Sequence, residues 1–150
     1  MKALFIDHDP VVRGLLHCFA TMAGLEHAIV GSGAEALEIL RGAQPARTEP
    51  YSVIAAKNST GAGVVITEID LPDIDGIDLA RLIRANFNDI QIFAHTYPEH
   101  LPGGESFDRV FFKPHAVDAV VRAALGVVGS QPEQDLFRQM IPHALGSHAA

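Results

Sequence analysis

The chain has 150 residues, of which 48% are hydrophobic and 19% charged, so it has enough apolar content for one globular domain and is not a disordered segment. Its formal net charge of -7 argues against nonspecific binding to nucleic acid or to an anionic membrane, because both need a basic footprint. Cys18 is the single cysteine, which rules out an intrachain disulfide. No apolar run reaches bilayer length, and the N-terminus lacks the apolar core and cleavage site of a secretory signal, so a cytoplasmic location is expected.

Ala3 to Ile6 reads as a first strand, with Asp7, His8 and Asp9 at its carboxyl end. Pro10 then opens a helix, where its missing N–H costs nothing. Val11, Val12, Leu15, Leu16, Phe19 and Met22 recur at helical spacing and are expected to form its core face. Cys18, in the same helix, reads as a small, partly buried, inert side chain. Gly24 is a helix stop. Ala28 to Val30 is a short second strand. Ser32 and Glu35 match a capping box for a helix over Ala34 to Arg41. Strand and helix alternate from the start, which predicts a parallel sheet with helices on both faces.

Residues 43–63 break the rhythm and read as an insertion before strand three, with Tyr51 to Ala56 as a possible extra strand. Its glycines lack the spacing of a phosphate-binding loop. Val64 to Ile69 is the third strand, a β-branched run of the kind buried on both faces. A helix follows Gly76, with Ile77, Leu79, Ala80, Leu82 and Ile83 inward. Ile90 to Ala94 is strand four, leading to His95 and Thr96. The prolines and glycines between Tyr97 and Glu105 permit only a short helix. Val110 to Phe112 is strand five, followed by Lys113-Pro114. Ala116 to Val128 is a helix, with Val117, Val120, Val121, Ala124 and Leu125 inward. Beyond it, residues 129–150 form a C-terminal amphipathic helical extension, with Leu136, Phe137, Met140 and Ile141 as a candidate partner-binding stripe and Pro142 bending or shortening the helix.

The stretch from Val64 to Gly76 is the centre of this arrangement. It ends in Glu68, Asp70, Asp73 and Asp75. In an open parallel sheet, ligands and chemistry sit beyond the carboxyl ends of the strands. Acids stand there after strands one and three, a hydroxyl after strand four and Lys-Pro after strand five. With Ile6-Asp7-His8-Asp9-Pro10, Glu68-Ile-Asp-Leu-Pro72, Gly76, Thr96 and Lys113-Pro114, residues 1–128 resemble the CheY-like receiver domains of bacterial response regulators. The resemblance implies an α/β, doubly wound, five-stranded parallel sheet in the order 2-1-3-4-5, flanked by helices. It implies phosphoryl transfer to an aspartate after strand three, with Mg²⁺ held by two acids after strand one, and with the hydroxyl and the lysine meeting the transferring oxygens.

Three positions depart from the family. The acceptor position falls on Glu68, whose extra methylene moves the carboxylate outward by about 1.5 Å. The second acid after strand one falls on His8, and Mg²⁺ prefers oxygen ligands. The aromatic switch position falls on Val110. Asp7, His8, Glu68, Thr96 and Lys113 thus make a degenerate phosphoacceptor site in which Glu68 can pair directly with Lys113 and Thr96. Mg²⁺ binding is expected to be weak or absent.

The function expected from these residues is that of a stand-alone pseudo-receiver. It is non-enzymatic and independent of phosphorylation, and it acts in two-component signal transduction by binding a protein such as a sensor kinase or a downstream signalling protein. The segment after residue 128 is too short for an output domain, and a homodimer is an open alternative. A second reading keeps phosphorylation, on Glu68 or Asp70. A third is a metal or pH sensor built on Asp7, His8 and Glu68, with Asp7 and His8 as weak metal candidates.

Overall fold

The computed structural model describes residues 1–42, 61–101 and 107–129. The strands are β1 (Ala3–Ile6), β2 (His27–Val30), β3 (Val64–Thr67), β4 (Gln91–Thr96) and β5 (Arg109–Phe112). They form one parallel sheet in the order β2-β1-β3-β4-β5. Among the described residues the helices are α1 (Pro10–Met22), α2 (Gly33–Arg41), α3 (Gly76–Asn86) and α4 (Val117–Val128). Between β4 and β5 the described residues contain a 3-10 turn, Pro98–His100. The doubly wound sheet expected from the sequence is therefore present. Most of the proposed insertion and nearly all of the C-terminal extension, including Leu136, Phe137, Met140 and Ile141, lie outside the described residues.

Successive side chains of a strand point to opposite faces. Leu4, Ile6, Val65, Ile92 and Ala94 therefore face one way and pack with Leu37, Leu40, Leu79 and Ile83 of α2 and α3. Ala3, Phe5, Val64, Ile66 and Phe93 face the other way and pack with Leu16, Ala20, Val120, Val121 and Ala124 of α1 and α4. Helices cover both faces, so the central strands are apolar throughout rather than alternating.

Helix α1 corrects the sequence reading. Leu16 and Ala20 are its buried residues, with Val12 partly buried beside them. Val11, Leu15, Phe19 and Met22, expected in the core, are exposed, and so is Cys18. The helix carries two apolar stripes. The one that includes small Ala20, followed by Ala23, takes the sheet, because small side chains let the helix approach closely.

Local sequence sets the helix starts. The Asp9 side chain accepts from the Val11 N–H at 2.8 Å and Pro10 occupies the first turn. Ser32 accepts from the Glu35 N–H at 3.2 Å, while the Glu35 carboxylate accepts from Gly31 rather than from the capping residue's own amide. Asp73 adds a cap from a distant loop, accepting from the Gly33 and Ala34 N–H groups at 3.0 and 2.8 Å. That bond ties the β3–α3 loop to the start of α2. Asp75 caps α3 by accepting from Ile77 at 2.7 Å. The acids of this loop are thus mainly structural.

Gly76 is needed where it stands. Its N–H donates to the Ile69 carbonyl at 2.8 Å, folding the loop back on the end of β3. A Cβ there would lie 2.3 Å from the Glu68 carbonyl oxygen and 2.7 Å from the Ile69 Cα. Both obstacles are backbone, so relief requires moving the Glu68 peptide. Gly76→Ala should lower stability by about 1–3 kcal/mol, the usual cost of overpacking, which a urea unfolding curve would read. An unchanged midpoint would mean that the loop has slack.

Candidate functional site

Parallel register brings the strand ends into line. Ile6 pairs with Thr67, Thr67 with Ala94, and Thr96 with Phe112. The Glu68 N–H donates to the Ile6 carbonyl at 2.9 Å, and the Lys113 N–H to the Thr96 carbonyl at 2.8 Å. Asp7, Glu68, Thr96 and Lys113 consequently converge at one edge of the sheet, and all four are buried. The Lys113–Pro114 peptide bond is cis.

Lys113 is the centre of this cluster. Its Nζ donates to Asp7 Oδ2 at 2.6 Å and to Glu68 Oε2 at 2.5 Å. The other Glu68 oxygen, Oε1, accepts from the Thr96 hydroxyl and from the Ile69 N–H, the latter at 2.6 Å, with the Asp70 N–H further off at 3.3 Å. Asp7 Oδ1 accepts from the Asp9 N–H at 2.9 Å. Below this, Arg13 Nη1 donates to the carbonyls of Asp7 and His8 and holds the turn between β1 and α1.

The two carboxylates differ electrostatically. Burial works against the charge of Glu68, but the bonds from Lys113 and Thr96 together outweigh it, and its pKa falls below the ordinary glutamate value. Asp7 has fewer donors and sits beside the Glu68 charge. For it burial prevails over the Lys113 and Asp9 bonds, and its pKa rises. Burial also works against the Lys113 ammonium, but its bonds to Asp7 and Glu68 raise its pKa overall.

Of the residues expected at the site, the structure brings Asp7, Glu68, Thr96 and Lys113 together and leaves His8 apart. His8 is exposed, two residues beyond the end of β1, with its backbone carbonyl held by Arg13. The weak metal candidates Asp7 and His8 are therefore separated. Among the described residues no group of three or more His, Cys, Asp or Glu side chains is placed to hold a metal ion. Mg²⁺ prefers a set of oxygen ligands in octahedral geometry. Here Asp7 is engaged by an ammonium, and the position of the second acid holds the exposed imidazole of His8, so the arrangement does not fit Mg²⁺. Asp70, the alternative acceptor, is exposed and meets the cluster through its amide.

Two rim residues were not anticipated. The Tyr97 ring centroid lies 5.6 Å from Lys113 Nζ, a cation–π distance, and Tyr97 meets His100 edge to face. His100 Nδ1 is 4.0 Å from Glu68 Oε1. Sequence placed both in a loop of prolines and glycines, where no periodicity indicates direction. Val110 is half-buried against Ala94, as expected of an aliphatic side chain at that register.

No family model matches the chain. It is 27% identical over 142 residues to the sensor protein TorS of Escherichia coli, which covers 95% of this chain and 11% of that protein. The chain therefore spans 11% of the length of the relative it matches. Among solved structures, the response regulator TrrA of Thermotoga maritima, in complex with Mg²⁺ and BeF, superposes with a TM-score of 0.65 at 23% identity, over 85% of this chain and 100% of that one. A response regulator receiver domain protein from Clostridium thermocellum gives 0.67 at 19% identity, over 91% and 98%. The fold is that of a response-regulator receiver domain. Within this receiver fold, the cluster around Lys113 occupies the strand ends where the resemblance puts the phosphoacceptor site. No helix among the described residues is long and apolar enough to cross a membrane.

Two outcomes follow from the geometry. Lys113→Met leaves two buried carboxylates without their cation and should cost about 3–5 kcal/mol in urea unfolding, whereas a surface ion pair would cost about 1 kcal/mol or less. His95, buried on β4 with neither ring nitrogen hydrogen-bonded among the described residues, is pushed down to about 4 by burial, with the Lys113 charge adding to it. A histidine lowered in the native state contributes stability above its unfolded value of 6.5 that is lost as pH falls towards about 4. That loss should be about 3 kcal/mol across the window, and His95→Leu should flatten the stability profile there. A profile identical in the two proteins would contradict the burial of a neutral ring.

Proposed function

We propose that this receiver-fold domain acts in two-component signalling by binding another protein, without needing to be phosphorylated. The observation that carries this reading is the position of Lys113, between Asp7 at 2.6 Å and Glu68 at 2.5 Å, with the Thr96 hydroxyl on the other Glu68 oxygen. These are the donors that the family directs at a phosphoryl group. In this chain a carboxylate of the protein itself holds them, so the site carries a fixed negative charge in place of a switched one. The role is one of binding, with no bond made or broken, and the partner class is a sensor kinase or a downstream signalling protein.

The shape of the cluster supports permanence. Release of Lys113 towards an incoming phosphoryl group would break two charge-assisted bonds in a buried setting. Each is of the stronger kind, worth about 1.5–3 kcal/mol. The displaced Glu68 would also face the incoming negative charge. An extra methylene at the acceptor matters too, because about 1 Å of misplacement can cost on the order of a hundredfold in rate.

A second reading keeps phosphoryl transfer, on Glu68 or Asp70, and one observation favours it: Thr96 and Lys113 both still aim their donors at the acceptor position. A sensor of metal or pH through Asp7, His8 and Glu68 has less support, since the exposed His8 is not part of the cluster.

Intact mass after incubation with Mg²⁺ and acetyl phosphate separates the readings. The unmodified mass is expected. A phosphoryl adduct that disappears in Glu68→Gln or in Asp70→Asn would overturn the proposal and identify the acceptor.

A further inference from the structure

His17, on the solvent side of α1, and His27, the first residue of β2, meet ring to ring. His17 Nδ1 lies 3.0 Å from His27 Nε2, with the ring centroids 5.2 Å apart. His27 pairs with Ala3 at the start of β1, so the two rings stand at the opposite edge of the sheet from the Lys113 cluster. Neither histidine takes part in the chemistry of that cluster.

The His27 ring is held from two sides. Its Nδ1 lies 2.6 Å from the Leu25 carbonyl oxygen, and the buried Phe5 ring meets it edge to face. A carbonyl oxygen only accepts, so Nδ1 carries the ring proton and, in the neutral ring, Nε2 turns its lone pair towards His17. A ring nitrogen fixed in this way by a backbone carbonyl on its far side is how proteins orient a metal-binding imidazole. Between the two rings, the proton of a simple hydrogen bond occupies the place that a cation would take.

The spacing selects the cation. At metal–nitrogen distances of about 2.0–2.1 Å, two nitrogens 3.0 Å apart subtend about 95° at the metal. That is close to the angle of about 90° between neighbouring ligands in tetragonal or octahedral geometry, which Ni²⁺ and Cu²⁺ prefer. The tetrahedral angle of about 109° would need the nitrogens about 3.3–3.4 Å apart. The pair opens onto a surface depression of about 480 Å³, also lined by Arg13, Gly14, Ala28 and Ile29, which has room for coordinated water. A Cβ at Gly14, one turn before His17, would meet nothing within 4 Å, so the approach is open. Arg13 brings positive charge to this depression, but its Nη1 is turned to the carbonyls of Asp7 and His8.

We propose that His17 Nδ1 and His27 Nε2 form a two-histidine site for Ni²⁺ or Cu²⁺, with water completing the coordination. Binding moves the His17 proton from Nδ1 to Nε2 by exchange with water, with no net proton released when both rings are neutral. The ion would tie the middle of α1 to the start of β2. The site does not depend on whether Glu68 accepts a phosphoryl group.

Ni²⁺ is the probe, because it is redox-inert towards the exposed Cys18 thiol next to His17. Calorimetric titration of the full chain at about pH 7.5, above the ordinary histidine value of about 6.5, should show one saturable site. His17→Gln and His27→Gln should each weaken binding at least tenfold, with circular dichroism confirming that both are folded. His8→Gln, which removes an exposed histidine away from the pair, should leave the affinity unchanged. No saturable binding in the native protein would overturn the proposal, and so would equal weakening in all three variants, which would indicate scattered surface histidines. In the native protein itself, a tenth of an equivalent of Ni²⁺ should broaden the ring nitrogen signals of His17 and His27 before those of any other histidine. Broadening that begins elsewhere would contradict the site.

Discussion

One ammonium shared by two buried carboxylates organises the functional edge of this protein. Lys113 reaches Asp7 from β1 and Glu68 from β3, and Glu68 passes the constraint to β4 through Thr96. Four strands are thereby linked at their carboxyl ends by three side-chain bonds. Such a cluster is poor evidence for extra stability, because desolvating the ions offsets much of their attraction. Its effect is specificity. Removing Lys113 leaves two buried carboxylates without their cation, so the arrangement favours a single configuration of the site.

The surrounding structure is arranged to hold that configuration. The close approach of Gly76 to the Glu68 carbonyl fixes the peptide from which the acidic side chain extends. Asp73, by capping α2, fixes the far end of the same loop. Arg13 fixes the turn after Asp7 by holding two successive carbonyls. On the other face of β4, a neutral buried His95 sits close enough to Lys113 to feel its charge. At this edge the chain's own Glu68 carboxylate takes up the Lys113 and Thr96 donors.

Much of this was legible in the sequence. Alternating strand and helix patterns gave the parallel sheet, and the acids, hydroxyl and lysine at successive strand ends, read through the receiver resemblance, pointed to Asp7, Glu68, Thr96 and Lys113 as neighbours. What was not legible has physical causes. On α1, apolar residues occupy two stripes, and hydrophobicity alone could not tell the stripe holding Ala20 from the one holding Leu15 and Phe19. His8 was grouped with the site because it follows Asp7, yet the strand ends at Ile6, Asp7 alone turns inward to Lys113, and His8 already faces outward. Tyr97 and His100 reach the rim through a 3-10 turn, whose direction depends on the tertiary setting. The capping role of Asp73 had no local signal, because its two partners lie about forty residues earlier.

The central claim is that Lys113 holds Glu68 ionised within a buried cluster. Its most direct test is a carbon-13 NMR titration of the Glu68 side-chain carboxyl, in the native protein and in Lys113→Met. The native carboxyl should titrate below the ordinary glutamate value, because the Lys113 and Thr96 bonds outweigh burial. Without the ammonium, burial should dominate and the midpoint should move above that value. An ordinary midpoint that is the same in both proteins would contradict the claim and leave Glu68 as a solvated acid at an open site.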